Sequence, residues 1–262
     1  RKVLRAVADY DPDYYDMYAD PNEAAFAQLY VERIRRHAEE AGIRPPAAVL
    51  EAGCQAGRPV VPLAQLGFRV TGIDTSGFAL RRAREHAAAA GVQADFLKGD
   101  LQEVLAHRPD RRFDLVICAE VLYLYSRYRE LLRTLATAVR PGGLLCVSHR
   151  PRLYYLLEAL RQGDLATAAE VCHRSEGPVR AGAYYNWQSA PELRALYASL
   201  GLRWVALYPI DRLAWLSGVG PGQLTVGQRA QWFELERSLP PESGLWGRYV
   251  LVIAQQPRER KT

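Results

Sequence analysis

Val49-Leu50-Glu51-Ala52-Gly53-Cys54-Gln55-Ala56-Gly57-Arg58 reads as a short buried strand, an acidic residue, a glycine turn and the start of a helix. In an open α/β sheet, nucleotide-type ligands sit at the carboxyl ends of such strands, where backbone can come close to them. A dinucleotide fingerprint starting at Gly53 would need glycine at positions 55 and 58, which hold Gln and Arg. A P-loop would need Gly-Lys followed by Ser or Thr, which is missing. What is left is an E-x-G-x-x-x-G pattern.

Outward from that turn, strand-like and helix-like stretches alternate. Asp20-Pro21-Asn22-Glu23 opens a helix with Pro in its first turn, and apolar residues recur at helical spacing over 24–41. Residues 47–50, 68–73, 94–97, 113–118 and 144–148 read as strands. Helices are expected over 58–66, closed by Gly67, over 76–90, closed by Gly91, and over 128–139, stopped by Arg140-Pro141-Gly142-Gly143. The alternation predicts an α/β fold with a doubly wound, mostly parallel seven-stranded sheet and helices on both faces. Further on, 154–187 is aromatic and reads as irregular chain over the top of the sheet. Ser189-Ala190-Pro191-Glu192 starts a helix, with Ser as cap and Glu at the third position, that stops at Gly201. Residues 203–207 and 248–254 read as an antiparallel pair closing the sheet, separated by a Gly/Pro-rich insertion. A single domain over 1–262 is expected, with 1–22 as a lid and 150–188 and 211–244 as cap segments.

Acids mark the ends of the neighbouring strands. Val70-Thr71-Gly72-Ile73-Asp74-Thr75-Ser76 ends a strand in Asp74, the usual acceptor for two ribose hydroxyls. Asp100, in Leu97-Lys98-Gly99-Asp100-Leu101, follows the third strand, where it could accept from an adenine amino group. The fourth strand ends in Cys118-Ala119-Glu120-Val121-Leu122. Singly, each has a plainer reading. Gly53 and Gly57 permit a tight turn, Asp74 and Asp100 cap helices, and Glu120 pairs with an Arg. At four consecutive strand ends they form a coordinated set.

These residues together resemble the class I S-adenosylmethionine-dependent methyltransferases, in the branch that modifies small molecules. The resemblance covers residues 23–150 well and the segment 189–254 in pattern only. It implies that Glu51, Gly53 and Gly57 form the first cofactor motif, that Asp74 with Thr75 binds the ribose, that Asp100 with Leu101 contacts adenine, and that Ala119-Glu120-Val121-Leu122 lines the site after the fourth strand. The Pro141-Gly142-Gly143 turn is also typical. The family usually carries Gly where this chain has Gln55, which narrows the approach to the methionine part of the cofactor. The implied activity is methyl transfer to an oxygen or nitrogen of a metabolite or natural product. The alternatives are an RNA or protein methyltransferase and a catalytically idle cofactor-binding domain. Enzymes that methylate base amino groups usually carry an Asn/Asp-Pro-Pro-aromatic run after the fourth strand, and this chain does not.

In such relatives an N-terminal segment folds over cofactor and substrate. Here Asp9-Tyr10-Asp11-Pro12-Asp13-Tyr14-Tyr15-Asp16-Met17-Tyr18 has that character, and Tyr14 and Tyr18, four apart, share one face if it is helical. Both are candidate cofactor contacts. His149 at the end of the fifth strand is a candidate base, set against a reading as a half-exposed His satisfied by backbone. Tyr184, Tyr185 and Trp187 either line a substrate pocket or pack the cap. No clustered His or carboxylates have metal-ligand spacing.

Composition narrows the class. Of 262 residues, 49% are apolar and 24% charged, which excludes a disordered polyelectrolyte. No apolar run reaches the length of about 18 residues that a membrane span needs. Arg1-Lys2-Val3-Leu4-Arg5 has no secretory character, and a start without Met points to trimming. Only Lys2, Lys98 and Lys261 among the 34 basic residues are Lys, and a net charge of +5 is too diffuse to indicate nucleic acid as a partner. Cys54, Cys118, Cys146 and Cys172 form no C-x-x-C pair, which suits reduced thiols in the cytoplasm. The expected partner is a small-molecule substrate, with no membrane, for a monomer or homodimer.

Overall fold

In the computed structural model, residues 15–108, 110–179, 183–239 and 247–258 are described. Residues 1–14, including Tyr10 and Tyr14, lie outside them. In chain order the strands are β1 (Ala48–Ala52), β2 (Arg69–Asp74), β3 (Asp95–Lys98), β4 (Phe113–Cys118), β5 (Val139–His149), β6 (Glu176–Val179), β7 (Ala183–Asn186), β8 (Arg203–Ile210) and β9 (Tyr249–Gln255). Seven of them form one sheet in the order β3-β2-β1-β4-β5-β9-β8, and β6 and β7 form a separate antiparallel hairpin. β1 to β5 pair in parallel, while β9 runs antiparallel between β5 and β8. The winding reverses between β1 and β4, which opens a crevice at their carboxyl ends.

The central strands are buried on both faces, as parallel strands under helices must be. Alternate residues point to opposite layers. Val49, Leu115, Ile117, Cys146 and Ile253 pack with α1 (Pro21–Glu40), α2 (Val60–Gln65) and α3 (Gly77–Ala89). Leu50, Val116, Cys118, Val147 and Val252 pack on the other side with α4 (Leu101–Ala106) and α5 (Tyr128–Thr137). The helix starts are well marked. The Asp20 carboxylate accepts from the Asn22 and Glu23 N–H groups, and the Ser76 hydroxyl accepts from Ala79.

Three expectations change. The stretch 154–187 is ordered as α6 (Arg152–Arg161), α7 (Leu165–His173) and the β6–β7 hairpin, among the described residues. Tyr155 and Ala159 share one buried helical face, Gly163 breaks the chain at φ 69°, and Asp164 caps the next helix through the Thr167 N–H. Pro141-Gly142-Gly143 lies inside β5, where the register against β4 shifts, so the strand begins earlier than expected. The helix after β1 starts only at Val60, because Gly57 at φ 86° turns the chain first. The capped helix after Ser189 is α8 (Ala190–Ser199), with both halves of its capping box formed. The insertion after β8 holds α9 (Leu213–Ser217) and α10 (Val226–Ser238). Among the described residues no helix is long and apolar enough to cross a membrane.

Candidate functional site

The turn after β1 is built on backbone that needs positive φ. Gly53 (φ 81°) and Cys54 both donate to the Ile73 carbonyl, at 2.8 and 3.0 Å, which pins the turn to the end of β2. A Cβ on Gly53 would run into Val121, so glycine is required by packing as well as by conformation. Gln55 adopts φ 42° without being glycine, and its N–H donates to Asp74 Oδ2 at 2.9 Å. The other oxygen of Asp74 accepts from the Ser76 N–H at 2.8 Å. The carboxylate is thus fixed at the mouth of the crevice, although burial raises its pKa against the pull of those N–H groups. Glu120, after β4, is a second non-glycine residue at positive φ (62°), held by a bond from its N–H to Ser148 Oγ at 2.6 Å. Strained backbone of this kind gathers where a site must be held open.

These strand ends enclose a cavity of about 470 Å³. Its wall includes Glu51, Gly53, Gln55, Asp74, Thr75, Gly99, Leu101, Ala119, Glu120 and Val121 from the strand ends, with Tyr123, Tyr125, Arg248 and Tyr249 on the far side. A larger concavity of about 860 Å³ lies at the opposite edge of the sheet, among strand starts such as Ala48, Arg69 and Phe113. It has none of the strand-end acids.

The N-terminal segment closes one side of the cavity through Gln55. The side-chain amide donates to the Tyr15 carbonyl at 2.9 Å and accepts from the Met17 N–H at 3.3 Å. Asp16 is held by Arg82 Nε at 3.2 Å and lies 3.4 Å from His86 Nε2, while Tyr18 stacks on the His86 ring with centroids 4.1 Å apart. Tyr15 and Met17 therefore face the cavity, and Tyr18 does not line it.

Charge in the cavity centres on Arg58. Its guanidinium pairs with Glu23 at the start of α1 and, at 2.8 Å, with Glu120, and all three side chains are almost fully buried. Burial raises the Glu23 carboxyl, and the neighbouring Glu120 adds to the rise while Arg58 opposes it. Glu51 is buried at the end of β1, which pushes its pKa up to about 8 against the field of Arg58. Its Oε2 has no hydrogen-bond partner among the described residues, an acceptor left for a ligand donor.

Of the residues singled out in the sequence, Glu51, Gly53, Asp74, Thr75, Leu101, Ala119 and Glu120 meet at this cavity. The others lie elsewhere. Gly57 packs beneath the turn, 3.4 Å from Ala83 of α3 when a Cβ is built on it. Asp100 caps α4 through Gln102 and Glu103, and Gly99 rather than Asp100 lines the cavity. His149 is buried in the core with its Nε2 2.9 Å from the Tyr197 hydroxyl, and burial lowers its pKa to about 3. It lines no part of the cavity. Trp187 is buried in the cap, donating to the Val171 and Arg174 carbonyls, Tyr184 bonds Glu176, and Tyr185 packs near Tyr155. Glu23, Arg58, Arg248 and Tyr249 were not legible as site residues. Each belongs to an element the sequence does define, but nothing local marks which side chain turns inward.

Comparison with known proteins agrees with this geometry. A methyltransferase-domain family model matches residues 49–143. A ubiquinone biosynthesis O-methyltransferase of Methylobacterium sp. (strain 4-46) is 41% identical over 96 residues, 37% of this chain and 38% of the relative. The enzyme of that name from Aeromonas salmonicida (strain A449) is 32% identical over 144 residues, 49% of this chain and 60% of the relative. The chain thus spans from under two-fifths to three-fifths of the curated relatives' length. Among solved structures, magnesium protoporphyrin IX methyltransferase from Synechocystis PCC 6803 with bound SAH aligns at TM-score 0.60 and 18% identity, covering 97% of this chain and 93% of the other. A Burkholderia thailandensis 1,6-didemethyltoxoflavin-N1-methyltransferase with S-adenosylhomocysteine aligns at TM-score 0.60 and 20% identity, covering 98% and 88%. These likenesses show the fold.

Proposed function

We propose that this chain, which carries a class I S-adenosylmethionine-dependent methyltransferase domain, transfers a methyl group to an oxygen or nitrogen of a small-molecule acceptor. The observation that carries the reading is the convergence of four strand-end loops on one cavity at the switch point between β1 and β4. The cavity fits the cofactor. Asp74 keeps lone pairs free for ribose hydroxyls, Gly99 and Leu101 give an adenine its apolar flank, and the unpartnered Oε2 of Glu51 suits an ammonium donor.

When bound, S-adenosylmethionine supplies a methyl group already activated on a sulfonium, so the protein's task is proximity, orientation and exclusion of water. The strand ends hold the ligand in place, and the Tyr15–Met17 strap shields it. Glu23 and Glu120, steered by Arg58, put carboxylate oxygens at the wall, where they can hold a proton that the acceptor releases. The reading takes the chain as one domain working in the cytoplasm, in keeping with the buried free thiols of Cys54, Cys118 and Cys146.

Calorimetric titration with S-adenosylhomocysteine tests it. Asp74→Ala should weaken binding by about 1.5–3 kcal/mol, the scale of a hydrogen bond to a charged group. Unchanged affinity would remove Asp74 from the cofactor site. Methyl incorporation into small-molecule pools, with none into RNA or protein, is the expected second readout.

A further inference from the structure

The far wall of the cofactor cavity draws on three adjacent strands, β4, β5 and β9. Tyr123 lies in the turn after β4, Arg150 directly follows β5, and Tyr249 opens β9. β9 runs antiparallel to β5 with Val250 opposite His149, so its first residue stands at the carboxyl end of β5. The sheet order therefore places Arg150 between the two tyrosines. Its guanidinium carbon lies 4.6 Å from the centre of the Tyr123 ring, 4.8 Å from that of Tyr249 and 4.1 Å from that of Tyr154. Tyr123 and Tyr249 line the cavity, and Arg150 stands behind them.

The hydrogen bonds here can run in one direction only. Arg150 Nη2 donates to the Tyr249 hydroxyl oxygen at 2.6 Å. A guanidinium has no acceptor, so the Tyr249 hydrogen must point elsewhere. It goes to the Tyr123 oxygen. Burial raises the pKa of the Tyr123 hydroxyl, against the charge of Arg150 and the bond from Tyr249. Burial raises the Tyr249 hydroxyl as well, so both phenols stay protonated at neutral pH. The Tyr123 hydrogen ends the chain, and among the described residues nothing accepts it. Arg150 pairs with no carboxylate among the described residues, and its Nε is buried without a partner. Two other charges face the tyrosines. Glu120 opposes Arg150 but is engaged by Arg58 at 2.8 Å, and Arg248 lies over the Tyr249 ring at 5.4 Å.

We infer that Tyr123 donates its hydrogen bond to the reacting atom of the methyl acceptor, that this atom is the ionised oxygen of a phenol or enol, and that Arg150 is a positioning residue that fixes the direction of the donor chain through Tyr249. An amine nucleophile turns its lone pair to the methyl group and offers Tyr123 only N–H groups, which sets donor against donor. A phenolate attacks with one lone pair and accepts from Tyr123 with another. A chain that begins on a cation is polarised along its length, which suits its end to an oxyanion. The selection follows from the direction of the bonds and not from net charge. The inference deepens the methyltransferase reading and rests on it, because that reading puts the acceptor opposite the cofactor motifs.

The test uses two probes of like shape, 4-nitrophenol and 4-nitroaniline, on the full chain loaded with S-adenosylhomocysteine. Nitrophenol changes colour when it ionises, so its protonation state can be read on the protein. Bound nitrophenol should ionise about one pH unit or more below the free probe, a roughly tenfold preference for the phenolate. Nitroaniline should bind about tenfold or more weakly. Tyr123→Phe should abolish both effects and leave S-adenosylhomocysteine affinity as in the parent chain. Arg150→Met should shrink the ionisation shift. Tyr249→Phe breaks the same chain while keeping the ring in its packing, so it carries the test if Arg150→Met does not fold, and melting curves check both. The inference is overturned if bound nitrophenol stays neutral, if nitroaniline binds as well, if the shift survives Tyr123→Phe, or if neither probe binds below roughly 1 mM. Loss of S-adenosylhomocysteine affinity in Tyr123→Phe would give that hydroxyl to the cofactor and overturn it too. Any of these results in a chain that binds S-adenosylhomocysteine removes the donor chain and keeps the methyltransferase reading. A parent chain that ignores S-adenosylhomocysteine sinks that reading itself.

Discussion

Gln55 occupies a backbone conformation that costs an L residue about 1–2 kcal/mol. Its side chain offsets that through the two bonds to Tyr15 and Met17. Gln55→Gly should therefore leave thermal stability within about 1 kcal/mol, since relief of strain and loss of the bonds oppose each other. Amide exchange at Met17 should rise, and calorimetric cofactor affinity should hold or increase. A large loss of affinity would mean that Gln55 touches the cofactor itself. Glu51 makes a second residue-level prediction. Its folded carboxyl titrates near 8 against an ordinary 4.5. Between those values the unfolded chain has released a proton that the folded chain keeps, so stability falls as pH rises through the window. Asp211, raised to about 7, acts in the same direction. Melting temperatures of Glu51→Gln across that range should decline less steeply than those of the parent chain, and an identical slope would show that burial of Glu51 is not felt.

The strap before α1 is an element held by side chains rather than by backbone pairing. Asp16 meets Arg82 and His86, Tyr18 stacks on His86, and Gln55 grips the chain at 15 and 17. None of these residues belongs to the two main core layers, so deleting residues 1–19 should cost methyl-transfer rate far more than melting temperature. Full activity in the truncated chain would make the strap a packing feature. This division also explains what the sequence disclosed. The β1 turn, Asp74, Leu101 and Ala119–Glu120 were legible because the strand ends ring the crevice, whereas Asp100, two positions past β3, turns back to cap α4. His149 likewise ends β5, yet alternation turns it into the layer packed against Tyr197. Tyr184, Tyr185 and Trp187 are aromatic enough for a pocket, but Tyr185 and Trp187 fill a small core beside the α6–α7 pair, and Tyr184 bonds Glu176. Arg248 and Glu23 come from opposite ends of the chain, and only the closed sheet brings them within 3.7 Å.

At the scale of the molecule the sheet is completed out of order. β9 is the last strand among the described residues and yet sits inside the sheet, with Leu144 opposite Gln255, Val250 opposite His149, and Tyr249 opposite Ile210. Its residues from Tyr249 to Ala254 are fully buried. During synthesis, β5 must therefore wait with an open apolar edge while about a hundred further residues leave the ribosome, and β8 has no partner until β9 arrives. Such an unpaired edge is a template for other chains. Ending translation before Tyr249 should therefore yield insoluble protein rather than a weakened monomer, read as the soluble fraction against total expression. Slowing elongation ahead of the β9 codons should lengthen the chain's dependence on chaperones without changing a single native contact.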